Sequence, residues 1–278
     1  MQPTLDEVIR WAKEAGALLR QGFGQHHDVR YKGLIDPVTE MDRASEALLL
    51  ERIREAFPHH AIISEESGTL TGHQAHRWYI DPLDGTVNYA HGLPIFAVSV
   101  AYFEGDQPCL GVVYDPMRDE CFYAERGKGA FLNGQPVRVS TTPDLIHALL
   151  VTGFPYDLDG SRPDNLDLFA TFTRRTQGVR RLGSAALDLC YVASGRLDGY
   201  WELELAPWDL AAGVLIAREA GALITRLNGE PDVLQPPYDV LAANPYLHQQ
   251  MLALIAESGY ARVAPWRDDG HGAEQPAP

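Results

Sequence analysis

The first apolar pattern in the chain is helical. Leu5, Val8, Ile9, Ala12 and Leu19 share one face of a 3.6-residue period, and Thr4 with Glu7 forms a capping-box pair, so residues 4–23 are predicted to be a helix that stops at Gly24. A second helix is predicted over about 40–57, ended by Pro58. The pattern then changes to short apolar runs. AIISEE (61–66) and WYIDP (78–82) end in acids and read as buried strands that deliver carboxylates at their ends; IFAVSVAYF (95–103) and CLGVVYD (109–115) are further strands. The turn residues Asp115, Pro116, Met117 and Arg118 before CFYAE predict a hairpin, with more strand over about 131–139.

In the second half, ALLVTGF (148–154), GRLDGYWELEL, ALITRL and DVLAAN predict strands. Helices are predicted near 165–176, 184–194 and 209–220, with Gly195 and Gly221 as stops for the last two. This order predicts an α+β protein of alternating helix and sheet layers, with an N-terminal half at 1–145 and a C-terminal half at 146–262. Residues 263–278 are rich in Pro, Gly and charge, lack an apolar period, and are expected to form a loose tail.

Composition narrows the class. With 278 residues, 45% hydrophobic and 22% charged, the chain can bury a sizeable core. Its 38 acidic and 23 basic residues give a net charge of -15, which works against direct binding of nucleic acid or an anionic membrane and makes a cation the better partner. Cys109, Cys121 and Cys190 are too widely spaced for a CxxC site or a disulfide framework, and no run approaches the ~20 apolar residues of a membrane span. Asp6, Glu7 and Glu14 charge the region where a signal peptide would be apolar, so a cytoplasmic protein is expected.

The densest chemical signal is the run from Trp78 to Thr86, in which Asp81, Pro82, Leu83, Asp84 and Gly85 follow an apolar strand. Two carboxylates three apart at a turn can face one cation, Gly85 permits close approach of backbone to a ligand, and Thr86 can open a helix whose N–H groups favour phosphate. Taken alone, such a DxxD reads first as an Asx-type turn with solvated acids. Other acids accompany it: Glu65 and Glu66 end a strand, Asp209 follows Pro207 and Trp208 at a helix start, and Asp36 and Asp42 flank the start of the second helix. Alone, Asp42 and Asp209 read as first-turn acids that complement a helix dipole, worth ~0.3–1 kcal/mol each. His73 and His76 have HxxH spacing but read as surface residues of a polar loop. GxSxG, Walker and complete GxGxxG signatures are missing; GFGQHH and GKGAFL lack the final glycine.

In this order and with these neighbours, the acids resemble the inositol monophosphatase family of magnesium-dependent, lithium-sensitive phosphatases. The resemblance spans roughly residues 4–262 and is carried by WYIDPLDGTVNYAHG, WDLAAGVLIAREAGA and SEES, with DPVTEMD, GVVYDP, RGKGAFLNG and LGSAALDLCYVASGRLDGYWE in support. It implies a layered αβαβα sandwich, shared with the fructose-1,6-bisphosphatases, and two or three magnesium ions. Glu65, Asp81 and the Leu83 carbonyl would bind the first ion, and Asp81, Asp84 and Asp209 the second. Thr86 and Glu65 would orient an attacking water, with Asp42 behind Thr86. The phosphate and substrate contacts implied are Asp84, Gly85, Thr86, Gly183, Ser184, Ala185 and Asp209, with Glu202 reading inositol hydroxyls. Glu202 also reads as a solvent-facing alternation residue of YWELEL, and the roles of Lys32, Arg180 and Arg181 stay open.

The implied reaction is hydrolysis of inositol 1-phosphate or a similar small polyol or sugar phosphate. Relatives acting on fructose 1,6-bisphosphate, histidinol phosphate or an adenosine bisphosphate share the metal motifs, because fold and motif do not select the leaving group. Some bacterial relatives are protein partners of the transcription machinery, so a binding role with secondary catalysis is a further alternative. The resemblance also implies a homodimer.

Overall fold

The computed structural model describes residues 2–25, 30–31, 37–155 and 164–259; Lys32, Asp36 and the expected tail lie outside them. The chain starts with α1 (Leu5–Gly22), β1 (Arg30–Tyr31), β2 (Pro37–Val38) and α2 (Glu40–Ala56). Then come β3 (His60–Ser64), β4 (Gly68–Leu70), β5 (His73–Asp84), α3 (Thr86–Ala90), β6 (Ala97–Glu104), β7 (Gln107–Asp115) and β8 (Glu120–Glu125). Two short strands, β9 (Ala130–Leu132) and β10 (Gln135–Val137), are followed by a 3-10 turn (Leu145–His147), β11 (Leu149–Thr152), α4 (Leu166–Thr173) and β12 (Gly178–Arg180). The last elements are α5 (Ala185–Ala193), β13 (Gly199–Glu202), α6 (Pro207–Glu219), β14 (Leu223–Thr225), β15 (Val240–Ala243) and α7 (His248–Glu257).

Local chemistry explains the helix starts. The Thr4 side chain accepts from the Glu7 N–H at 3.4 Å while the Glu7 carboxylate accepts the Thr4 N–H at 2.8 Å, which satisfies donors that a helix end leaves free. Thr39 and Asp42 make the equivalent pair at α2, with the Thr39 N–H donating to Asp42 at 2.8 Å. α6 begins with Pro207 in its first turn, where the missing N–H costs nothing. The sequence patterns above omit α7, whose N-cap Leu247 offers no capping side chain, and the three-residue strand β12.

β3 to β10 form one sheet in the order β10-β9-β8-β7-β6-β5-β3-β4, and the second sheet runs β12-β11-β13-β15-β14. α1 and α2 cover one face of the larger sheet, where Trp11, Leu49, Trp78 and Val112 share an apolar cluster. α5 and α6 lie between the sheets, with Leu189, Ile216, Phe122 and Tyr200 in a second cluster. α4 and α7 cover the outer face of the second sheet around Trp201, Phe172 and Met251. These five layers are the expected αβαβα sandwich.

Two expectations change on inspection. Pro82 does not end the strand; β5 continues to Asp84 through a shift in its register against β6 between Asp81 and Asp84. Such a bulge re-aims side chains, and here it leaves both acids at one strand end. His73 and His76 belong to β5 rather than to a loop: the His76 ring stacks on His60 with centroids 4.7 Å apart, and its Nδ1 lies 2.7 Å from the Tyr102 hydroxyl. The polar half of β5 therefore packs as ring stacks instead of as an apolar face.

α6 is held at both ends. Asp209 accepts the Ala206 N–H at 2.7 Å, and at the far end the Glu219 carboxylate accepts the N–H groups of Gly127 and Gly129 at 2.7 and 2.8 Å. Between them the helix backbone presses on β7, where a Cβ at Gly111 would stand 2.9 Å from the Ala212 carbonyl oxygen. Gly111→Val is expected to cost about 1–3 kcal/mol through overpacking, read as a lower urea midpoint. An unchanged midpoint would show that the layers are looser than this contact requires.

Candidate active site

Glu65, Asp81, Asp84 and Asp209 line one cavity of about 270 Å³ at the meeting point of the two sheets. Glu65 follows β3, Asp81 and Asp84 end β5, and Asp209 lies in the first turn of α6. The Leu83 carbonyl residue, Gly85, Thr86, Gly183, Ser184, Ala185 and Glu202 line the same space. Asp42 stands behind this wall. Arg181 lines the cavity, whereas Arg180 is exposed and bonds the Val179 carbonyl at 3.3 Å.

The acids are fixed by neighbours from distant parts of the chain. Asp84 accepts the Ser184 hydroxyl at 2.5 Å, the Ala185 N–H at 3.2 Å and the Ala186 N–H at 2.8 Å, so the N-terminus of α5 is docked onto the end of β5. These donors, like the Ala206 N–H given to Asp209, are spent on protein carboxylates. At the start of α5 the Ala185 and Ala186 N–H groups are therefore taken up by Asp84 instead of being left for phosphate. Buried Glu46 of α2 accepts the Ser64 hydroxyl at 2.5 Å and the Ser67 N–H and hydroxyl at 3.0 and 2.6 Å, which pins the loop that carries Glu65.

Thr86 is held between two acceptors. Its hydroxyl lies 2.7 Å from Asp42 and 3.0 Å from the Leu83 carbonyl oxygen, and one proton can serve only one of them. Asp42 also accepts the Thr39 hydroxyl at 2.6 Å. With three donors turned to it, Asp42 acts as an acceptor and draws the Thr86 proton away from the cavity. At Gly85, φ is +98°, and a Cβ would stand 3.0 Å from the Ile95 carbonyl oxygen and 3.1 Å from that of Gly183. Only glycine suits this turn.

Crowding shows in the acidities. Burial pushes Asp81 well above the usual carboxylate range, and Glu65, Asp84 and Asp209 push it further. Burial and then Asp84 do the same to Asp209. Asp84 is raised to about 6 by burial, against the donors from Ser184, Ala186 and Ala185. Burial also raises Asp42. Carboxylates that resist ionisation together form a donor set for a hard cation, oxygen-only and free of His or Cys. Among the described residues no three His, Cys, Asp or Glu side chains enclose an ion by themselves, so a cation that fits here would complete its shell with carbonyl, water or substrate oxygens, as magnesium does.

Across the cavity, Glu202 ends β13, and its carboxylate accepts the Tyr200 hydroxyl at 2.6 Å. Burial raises it to about 7, with Asp84 adding and Tyr200 and Arg181 opposing. The solvent-facing alternative for Glu202 is thus set aside. Asp188, one turn into α5, was passed over in the sequence although it interrupts the apolar run AALDLCYVA. It is 1% exposed, its Oδ1 has no hydrogen-bond partner among the described residues, and burial, then Glu202 and Asp84, raise it well above the carboxylate range.

The sequence pattern described as the Inositol monophosphatase family matches residues 1–260. The chain belongs to the inositol monophosphatase family. It is 46% identical to a Synechocystis inositol-1-monophosphatase, over 92% of this chain and 90% of that protein. It is 43% identical to the Nus factor SuhB of Pasteurella multocida, over 92% of this chain and 96% of that one. The solved inositol monophosphatase of Anabaena (Nostoc) superposes with a TM-score of 0.82 at 44% identity, covering 91% of this chain and 95% of that chain. With the site above, these place the chain among the phosphoric monoester hydrolases.

The raised acidities set a direction for stability. Asp84 and Glu202 have folded values of about 6 and 7, above their unfolded ones, so the folded metal-free chain keeps protons that the unfolded chain releases. Their contribution to stability is full below about pH 4 and is lost as pH rises toward 7. Added magnesium is therefore expected to raise the melting temperature more at pH 8 than at pH 5, by scanning calorimetry. Equal increments at both pH values would detach the ion from these acids.

Proposed function

We propose that this member of the family hydrolyses inositol 1-phosphate, or a similar small polyol or sugar phosphate, by direct attack of water, with two or three magnesium ions at the acid cluster. The observation that carries the reading is Glu202, a half-buried carboxylate that shares a single cavity with the four acids. Glu65, Asp81 and the Leu83 carbonyl would hold one ion, and Asp81, Asp84 and Asp209 a second. Bound there, magnesium supplies positive charge for the phosphoryl oxygens and acidity for a water molecule.

The chain's own residues do the positioning. Thr86 donates its hydroxyl hydrogen bond to Asp42 and so turns lone pairs to one hydrogen of the attacking water, while Glu65 accepts the other. Gly85 makes the tight turn into α3 possible, where a side chain would collide with the Ile95 and Gly183 carbonyls, and so sets the backbone that lines the phosphate side of the cavity. Asp84 and Asp209 keep their orientation through the α5 and α6 termini, which lowers the reorganisation needed during reaction. Glu202 accepts hydrogen bonds from neutral hydroxyls of the leaving group, and such charge-assisted bonds exceed neutral ones.

Glu202 disfavours a second phosphate at its end of the cavity, which favours inositol 1-phosphate over fructose 1,6-bisphosphate and adenosine bisphosphates; histidinol phosphate, with a single phosphate, stays an alternative for the ester panel. Arg181, on the same wall, acts in the opposite sense. The likeness to a Nus factor supports a second reading, a protein-binding role in transcription with catalysis secondary. Pull-down from lysate with Asp84→Asn separates the two, since binding partners would survive the loss of turnover. We place the protein in the cytoplasm, on its three widely spaced cysteines, and as a homodimer, on the family's habit.

Turnover of a panel of phosphate esters, with and without magnesium, tests the reading. Asp84→Asn is expected to fold and to lose about 100-fold or more in kcat, with lithium and excess magnesium inhibiting the parent chain. Near-parental turnover by the folded variant would remove Asp84 from the site. Glu202→Ala is expected to lower kcat/KM for inositol 1-phosphate by about 1.5–3 kcal/mol while sparing phenyl phosphate.

A further inference from the structure

We propose that Gly153, pinned by the buried amide of Asn165, sets the leaving-group specificity of the site by fixing where the Glu202 carboxylate lies. The proposal rests on the reading of Glu202 as the polyol acceptor.

Gly153 follows β11, and Thr152 pairs with Trp201 in the parallel ladder, so Gly153 lies beside Glu202. A Cβ at Gly153 would collide with the Oε1, Cδ and Oε2 atoms of Glu202. No side chain fits unless the carboxylate leaves. The backbone of Gly153 is outside the left-handed region, so space rather than conformation requires the glycine. With the Tyr200 hydroxyl on Oε2, the carboxylate is held by one donor and one wall.

The wall is itself fixed. The Asn165 amide nitrogen donates to the Gly153 carbonyl at 2.6 Å and to the Thr152 hydroxyl at 2.8 Å, and the Asn165 oxygen accepts the Trp201 indole N–H at 2.7 Å. The Thr152 hydroxyl donates onward to the Trp201 carbonyl at 2.5 Å. Asn165 is 4% exposed and Trp201 fully buried. One amide therefore ties the floor under Glu202 to the residue before it in the chain. A buried network with every member satisfied specifies a single geometry. Residues far from the phosphate thus decide whether a polyol is read.

Gly153→Ala tests this, because it displaces Glu202 without touching the four acids. Its KM for inositol 1-phosphate is expected to rise about 10-fold, with kcat/KM for phenyl phosphate changed less than about twofold. In a Glu202→Ala background the same change is expected to have no further effect, since the obstructing carboxylate is gone. Equal losses on both esters, or losses that add in the double variant, overturn the proposal. A Gly153→Ala chain that folds only when Glu202 is also truncated supports the contact; failure in both backgrounds overturns it. Glu202→Ala losing equally on both esters overturns the polyol reading and this proposal with it. A selective Glu202→Ala beside a neutral Gly153→Ala overturns this proposal alone.

Discussion

Mutual repulsion among buried and half-buried carboxylates is the constraint on which the architecture turns. Glu65, Asp81, Asp84 and Asp209 come from the ends of two strands and the start of a helix, and the printed partners of Asp84 and Asp209 are hydroxyl and backbone N–H donors rather than cations. Placing such charges together in low dielectric costs free energy that packing elsewhere must offset. The surrounding sandwich supplies that excess through three apolar clusters on either side of its sheets. A preorganised anionic pocket is the product, waiting for positive charge instead of having to assemble around it.

The same groups cap helices and build the site. Asp42 closes the first turn of α2 and receives Thr86; Asp209 closes the first turn of α6 and faces the cavity; Asp84 satisfies the start of α5. Each acid that would be a liability alone is made useful locally by backbone donors that need an acceptor. This dual use explains why simple helix-dipole arguments for Asp42 and Asp209 are sound and still incomplete.

Much of this was legible in the sequence. The capping box at Thr4, strands that end in acids and glycine stops at Gly195 and Gly221 appear where the pattern places them, because each depends on neighbours within a few residues. The acid set was legible through its motifs. What escaped depends on contacts distant in the chain. Pro82 reads as a strand end until β6 is seen to carry the register past it, and the donors at the start of α5 are taken up by Asp84, 100 residues before Ser184. Gly153 and Asn165 carry no local sign of importance, since their value lies in what stands beside them.

α6 makes a geometric demand of its own. Asp209 faces the cavity at one end of this helix and Glu219 grips the turn at Gly127 and Gly129 at the other. A helix advances about 1.5 Å and turns about 100° with each residue, so one residue inserted or removed between the two acids would swing them out of phase by more than a quarter turn. Substitutions along the helix alter its fit; a change of length would leave one end or the other ungripped. The count of residues between Asp209 and Glu219 is therefore as much a part of the site as the carboxylates themselves.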